Sequence, residues 1–151
     1  MPAQKDLQNE RSRQLLTAFG SRGNCALVTI GSSGRPQITN ISYAFDAATA
    51  TFRISITDSR VKTRNLRRDP RASLYITAAD RWPYTVADGV AELSPVAADL
   101  HDDTVEQLID VYRAVSGGEH PNWDEYRQAM VTDRRLVLTV HVDHVYGSPD
   151  S

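Results

Sequence analysis

The residues best suited to chemistry lie together in Ser55-Ile56-Thr57-Asp58-Ser59-Arg60-Val61-Lys62-Thr63-Arg64-Asn65-Leu66-Arg67-Arg68-Asp69-Pro70-Arg71. From Arg60 to Arg71 six cations stand against Asp69 alone, in a chain whose net charge is −2. Alternating Phe52, Ile54 and Ile56 predict a strand over 51–57, which turns at Asp58-Ser59 into a short helix that Asp69-Pro70 ends. Hydroxyl, guanidinium and ammonium groups thus collect where a strand meets a helix N-terminus, whose unpaired N–H groups and positive dipole end favour an anion. A solvated basic helix face is the plainer reading. Against it, Arg60, Lys62 and Asn65 share a turn and can converge while Leu66 faces inward, so the segment reads as a phosphate seat.

Other catalytic constellations are missing from the sequence. No paired carboxylates are set for acid–base work and no nucleophile stands next to a base. His101, His120, His141 and His144 form no ligand set; His141 and His144, three apart on a strand, are expected on opposite faces. Tyr84 could donate a proton, although a buried tyrosine is more often a core residue satisfied at its hydroxyl. The lone Cys25, within Cys25-Ala26-Leu27-Val28, rules out an internal disulfide and a cysteine-based zinc site, and reads as a small buried hydrophobe. No metal site is expected. Nucleic-acid binding through the basic run is disfavoured by the net acidity and the lack of interleaved aromatics.

The elements that must position the seat follow from periodicity and breakers. Charged residues at 24% and apolar residues at 40% are ordinary globular values, and 151 residues suit one domain spanning 1–151 with a core of its own. A helix is predicted over residues 3–19, stopped by Gly20. Strands are predicted at Cys25–Ile30 and Gln37–Phe45, joined as a hairpin through Gly31–Gly34, then at 51–57, Ala72–Ala78, Tyr84–Leu93 with a bulge at Gly89, and Arg135–Tyr146. The loop Asp80-Arg81-Trp82-Pro83 separates the fourth and fifth. An acidic helix from Asp99 to about Ser116 buries Val105, Leu108, Ile109 and Tyr112 and turns its carboxylates to solvent. A second, from Pro121 to Val131, is capped by Asn122 with Glu125 three residues on. Six short strands with flanking helices argue a small antiparallel barrel. Neither a dinucleotide fingerprint nor a P-loop is present. No apolar run reaches the length of a membrane span and the N-terminus is unlike a signal peptide, so a cytoplasmic protein is expected.

The order of these elements, with Gly34-Arg35-Pro36-Gln37, Lys62-x-x-Asn65-Leu66-x-x-Asp69-Pro70-Arg71 and His144-Val145-Tyr146-Gly147, resembles the flavin/deazaflavin oxidoreductases of the pyridoxamine 5′-phosphate oxidase-like group. More narrowly, Trp82-x-Tyr84, Trp123-Asp124-x-Tyr126-Arg127 and Met130-Val131-Thr132-Asp133-Arg134-Arg135 resemble the actinobacterial branch that binds coenzyme F420. The resemblance runs from Leu15 to Gly147. It implies a six-stranded antiparallel split β-barrel, a homodimer with the cofactor in a groove between subunits, and an F420-dependent oxidoreductase acting on a small organic substrate. The phosphate side would be Ser55, Arg60, Lys62 and Asn65, and the ring would rest on Val28, Thr29, Ile30, Gln37, Thr39 and Asn40. Trp82, Tyr84, Met130 and either Arg134 or Arg135 would come from the partner. The C-terminal arginine motif of pyridoxamine oxidases does not follow Gly147, which argues against pyridoxine chemistry. FMN is the alternative cofactor; Arg64, Arg67 and Arg68 lean towards F420, whose glutamate tail is anionic. A cofactor-binding protein without turnover is a third reading. The dimer is also expected because Leu136, Leu138, Val140 and Val142 are read as an apolar outer strand face.

Overall fold

The computed structural model describes residue 7, residues 9–78 and residues 82–149. Six strands, β1 (Arg22–Ile30), β2 (Pro36–Asp46), β3 (Thr51–Thr57), β4 (Arg71–Thr77), β5 (Tyr84–Leu93) and β6 (Arg135–Ser148), close an antiparallel barrel in the order β1-β2-β3-β6-β5-β4. Among the described residues four helices flank it: α1 (Glu10–Thr17), α2 (Val61–Arg68), α3 (Asp103–Ser116) and α4 (Trp123–Thr132). No described helix is long and apolar enough to cross a membrane.

Strand alternation fills the barrel. Leu27, Phe52, Ile54, Ile56, Leu74, Leu136, Leu138 and Val140 are all sealed from solvent, and Phe52 packs edge-on to Tyr43 at 5.2 Å and tilted against Phe45 at 4.6 Å. Leu136, Leu138, Val140 and Val142 therefore line the interior, and the expectation that they form an outer face is corrected. Period-two alternation shows which residues share a face but not which face is inside. Here the opposite side of β6 is also partly covered: Val137 packs beneath α3 and α4 with Val105, Leu108, Ile109, Val111, Tyr126 and Met130.

The caps are local. Asn9 accepts from the Ser12 amide at the start of α1, and Gly20 (φ 85°) follows its end. The predicted beginning of this helix lies outside the described residues, as do residues 79–81 of the β4–β5 loop. Asp102 caps α3 by accepting from the Val105 amide, and its second oxygen accepts from the Ala98 and Asp99 amides. Asn122 caps α4 by accepting from the Glu125 amide, as its spacing predicts.

The predicted bulge is present, with one consequence the alternation rule misses. Asp88 pairs with His144 but Gly89 pairs with Val142, so β6 carries an extra residue, Asp143. A Cβ on Gly89 would collide with the His141 carbonyl, which explains the glycine. The extra residue resets the parity of β6, so His141 and His144 both face outward rather than lying on opposite faces. His141 meets Glu92 at 3.0 Å, and His144 lies 5.8 Å from the Tyr146 ring.

One seam of the barrel is short. β2 and β3 pair only from Ala44–Asp46 to Thr51–Arg53, whereas β2 pairs with β1 along 36–44 and β3 with β6 along 51–57. Beyond that point the barrel is split, and the split exposes the polar end of β2 to the end of β3 and the start of α2.

Candidate functional site

Two adjoining cavities open at this split, and Ser55, Lys62 and Arg135 belong to both. The smaller, about 450 Å³, lies between Gln37 and Thr39 of β2 and Arg60, Val61 and Lys62 at the head of α2. The larger, about 950 Å³, runs over the outward side chains Asn24, Ala26, Asn40 and Ser42 and is walled by Tyr112, Val115, Tyr126 and Met130 of α3 and α4. A cationic head thus opens into an uncharged, partly aromatic groove.

The electrostatics of the head are unbalanced. Among the described residues no carboxylate lies within ion-pair distance of Arg60, Lys62 or Arg135. Burial first, and then the guanidinium groups of Arg60 and Arg135, push the Lys62 ammonium below its ordinary value of 10.5. The Nε of Arg135 is buried without a hydrogen-bond partner, and its Nη1 makes only long bonds to Ser55, 3.4 Å to the carbonyl and 3.5 Å to Oγ. Three cations held together with an unsatisfied donor need an anion with several acceptor oxygens. At the same point α2 begins with Arg60 as its N-cap, without a side-chain cap bond, so the dipole adds to the field.

The other cations of the basic run are already engaged. Arg67 and Arg134 both hold Asp58, at 2.6 and 3.1 Å, and hold its carboxyl below the usual carboxylate range. Arg71 holds Asp69, Arg64 donates to the Ser59 carbonyl, and Arg68 donates to the Ile30 carbonyl and Asn65 Oδ1. Of the three arginines read as surplus cations, Arg67 is thus paired with a carboxylate, whereas Arg64 and Arg68 bond only neutral oxygens and keep their charge.

The structure brings Ser55, Arg60, Lys62, Gln37, Thr39, Asn40, Met130 and Arg135 onto the cavities within one chain. Met130 and Arg135 thus reach the groove without a partner subunit, and of the two arginines it is Arg135 that turns inward. Arg134, in the left-handed region (φ 53°), is exposed on Asp58. Asn65 and Thr29 are buried behind the cavity walls, while Val28 and Ile30 fall on the outward face of β1 outside both cavities. Trp82 is 83% exposed just before β5, and Tyr84, which pairs with the groove-lining Thr77, packs 5.9 Å from the groove-lining Tyr75.

Sequence reasoning missed Tyr112 and Asn24. Tyr112 was hidden by its place in the apolar stripe of α3, where it reads as core. It stands instead at the groove, its ring 5.2 Å from both Tyr126 and His120. Tyr126 donates to the Leu108 carbonyl at 2.9 Å, and burial pushes its phenol up to about 12, so it is a wall rather than an acid. Burial likewise pushes the Cys25 thiol up to about 12, which keeps it protonated and unreactive. No group of three or more potential metal ligands occurs among the described residues.

Solved structures of the same shape include an F420 reductase, 20% identical over 82% of this chain and 88% of that one, with a TM-score of 0.59. A conserved hypothetical protein from Mycobacterium tuberculosis is 20% identical over 93% and 84%, with a TM-score of 0.68. A putative pyridoxamine 5′-phosphate oxidase from Listeria innocua is 14% identical over 82% and 86%, with a TM-score of 0.55. At these identities the likeness is one of fold. The sequence itself carries the assignment: the family described as pyridoxamine 5′-phosphate oxidase matches residues 12–148, from α1 to the end of β6. The split seam, with its cationic head, is therefore a feature of a chain that belongs to the pyridoxamine 5′-phosphate oxidase family.

Proposed function

We propose that the protein is an oxidoreductase that uses coenzyme F420 to transfer a hydride to or from a small organic substrate. The observation that carries this reading is the unpaired trio Arg60, Lys62 and Arg135 at the head of a groove of about 950 Å³. The residues fit a phosphate: two guanidinium groups and an ammonium supply charge-assisted donors, and the Ser55 hydroxyl can add another. When bound, the deazaflavin would supply the hydride chemistry, and the task left to the chain is to bind, orient and shield.

Those tasks divide among named side chains. Arg60, Lys62 and Arg135 would hold the phosphate, with Gln37 and Thr39 beside it and Asn40 on the larger groove. Met130, Tyr126 and Tyr112 would exclude water from the other wall. No side chain of the groove is placed as a strong acid or base, which suits a reaction in which hydride transfer is the central event. F420 is favoured over FMN by the F420 reductase among similar structures and by the sequence motifs around Trp123 and Met130. FMN is the second reading, because one phosphate satisfies the trio equally well.

A homodimer belongs to this proposal. Its support is the exposed apolar surface at Ile38, Tyr75, Val90 and Tyr146, not the interior of β6. Titration of the cofactor-free protein with F420 and with FMN, followed by fluorescence, tests the cofactor. Tighter binding of F420 supports the proposal; much tighter binding of FMN replaces it with the second reading, and binding of neither overturns both.

A further inference from the structure

Asn65 is conspicuous because it stands in the basic segment yet does not reach either cavity. It is 3% exposed, and its side chain bonds to Arg68 on one side and to the buried Thr29 on the other. Arg68 Nη2 donates to Asn65 Oδ1 at 3.0 Å; Asn65 Nδ2 donates to Thr29 Oγ1 at 3.0 Å; Thr29 Oγ1 donates to Gln37 Oε1 at 3.0 Å. Gln37 lies directly across from Thr29 in the β1–β2 ladder and lines the smaller cavity.

We propose that Arg68, Asn65 and Thr29 form a one-directional relay that fixes the side-chain amide of Gln37, so that the cavity presents an NH2 donor to an acceptor atom of its ligand. Valence sets the direction of the first two bonds, and the contact of Thr29 Oγ1 with Gln37 Oε1 sets that of the third. A guanidinium has donors and no acceptor, so Asn65 must turn its oxygen to Arg68 and its NH2 to Thr29. The Thr29 oxygen accepts that bond and keeps its single proton for the next one. Gln37 receives the proton through Oε1, which leaves Nε2 for the cavity. Thr29 is fully buried and Asn65 nearly so, so water offers no easy alternative pairing. Asn65 and Arg68 are positioning residues, and the ligand atom that meets Gln37 is an acceptor such as a carbonyl or phosphate oxygen.

The inference rests on the cavity being the cofactor site, but its central test does not. Asn65→Asp keeps the shape, keeps an acceptor for Arg68 and removes the donor. The Thr29 proton then turns to the carboxylate, its oxygen accepts from Gln37 Nε2, and Gln37 presents oxygen to the cavity. In the cofactor-free protein, NMR exchange of the Gln37 side-chain NH2 with water should be fast in the wild type and slowed by about tenfold or more in Asn65→Asp, as one of its protons becomes buried in a hydrogen bond. Unchanged exchange overturns the relay whether or not a cofactor binds.

A titration with F420 and FMN then measures the consequence. Asn65→Asp and the surface substitution Arg68→Ala should each weaken binding, the former by about tenfold, and both effects should vanish in a Gln37→Ala background. Effects that simply add to that of Gln37→Ala would mean that charge, not orientation, is responsible, and would overturn the proposal for the ligand. If Asn65→Asp does not fold, Arg68→Ala at its exposed position carries the same cycle. If the wild type binds neither probe, the cofactor reading fails and the amide exchange still decides the relay.

Discussion

Arg134 and Arg135 are neighbours in the chain and opposites in the fold. Arg134 points to solvent and shares Asp58 with Arg67, an ion-paired cluster that ties the head of α2 to the start of β6; the backbone adds a bond from the Asp58 amide to the Arg134 carbonyl at 3.0 Å. Arg135 points into the split with Arg60 and Lys62, where among the described residues no carboxylate balances the charge and one buried donor has no acceptor. A high density of basic residues does not by itself mark a binding site. The informative cations are those the fold brings together and leaves unpaired, because the protein carries their repulsion until a ligand relieves it.

The largest expected effect that sharpens this contrast is on Lys62. A hydrogen bond between charged groups contributes about 1.5–3 kcal/mol, so Lys62→Ala should weaken cofactor binding by roughly 10- to 100-fold in a fluorescence titration. The unfolding temperature of the cofactor-free protein should stay level or rise, since a like-charge contact is removed. Arg134→Ala should change affinity by less than about threefold, its pairing with Asp58 being exposed. Equal losses at both positions would erase the distinction.

A similar loss should be reached by raising pH. The Lys62 pKa is depressed in the fold below 10.5, so between the two values the unfolded chain binds more protons and the stability of the cofactor-free protein gains from this group as pH rises. Phosphate affinity moves the other way, because neutral Lys62 loses its charge-assisted bond while the arginines stay charged. Affinity measured from about pH 7 upward should therefore begin to fall below the ordinary lysine range. An affinity constant to pH 10.5 or beyond would contradict the direction of this shift.

A smaller effect separates the cationic head from the acidic helix. Burial alone would raise the Asp102 carboxyl, but backbone donors from Ala98, Val105, Asp99 and Thr104 outweigh it and leave the group below its usual value. Asp102→Ala should destabilise the protein by about 0.5–2 kcal/mol, lowering the melting temperature by several degrees at most, with cofactor affinity within a few-fold at temperatures where the protein is folded. A large loss of affinity without loss of stability would place the head of α3 at the site. The smallest effect is Arg71→Ala, which removes an exposed partner of Asp69. Both affinity and melting temperature should hold within error, about 0.5 kcal/mol or less.

Local pattern determined much of this protein. Alternation and breakers located β3 and β5 to the residue; Asn122 and Glu125 marked the start of α4; Gly89 marked the bulge; the basic run marked the head of α2. These features are legible because each is decided within a few residues by backbone sterics and hydrogen bonding. Motifs carried the family resemblance as well. Only the tertiary structure decided which side of β6 faces the barrel, because alternation is symmetric until other strands close around it. It also decided that the bulge puts His141 and His144 on one side, since the extra residue sits on the strand opposite the glycine. The same holds for the cations. Asp58 finds Arg134 across 76 positions of sequence, and Asn65 finds Thr29 across 36. Such pairings separate the basic run into ion-paired arginines, a relay, and the two cations that join Arg135 of β6 at the split, and long-range geometry is what sets them.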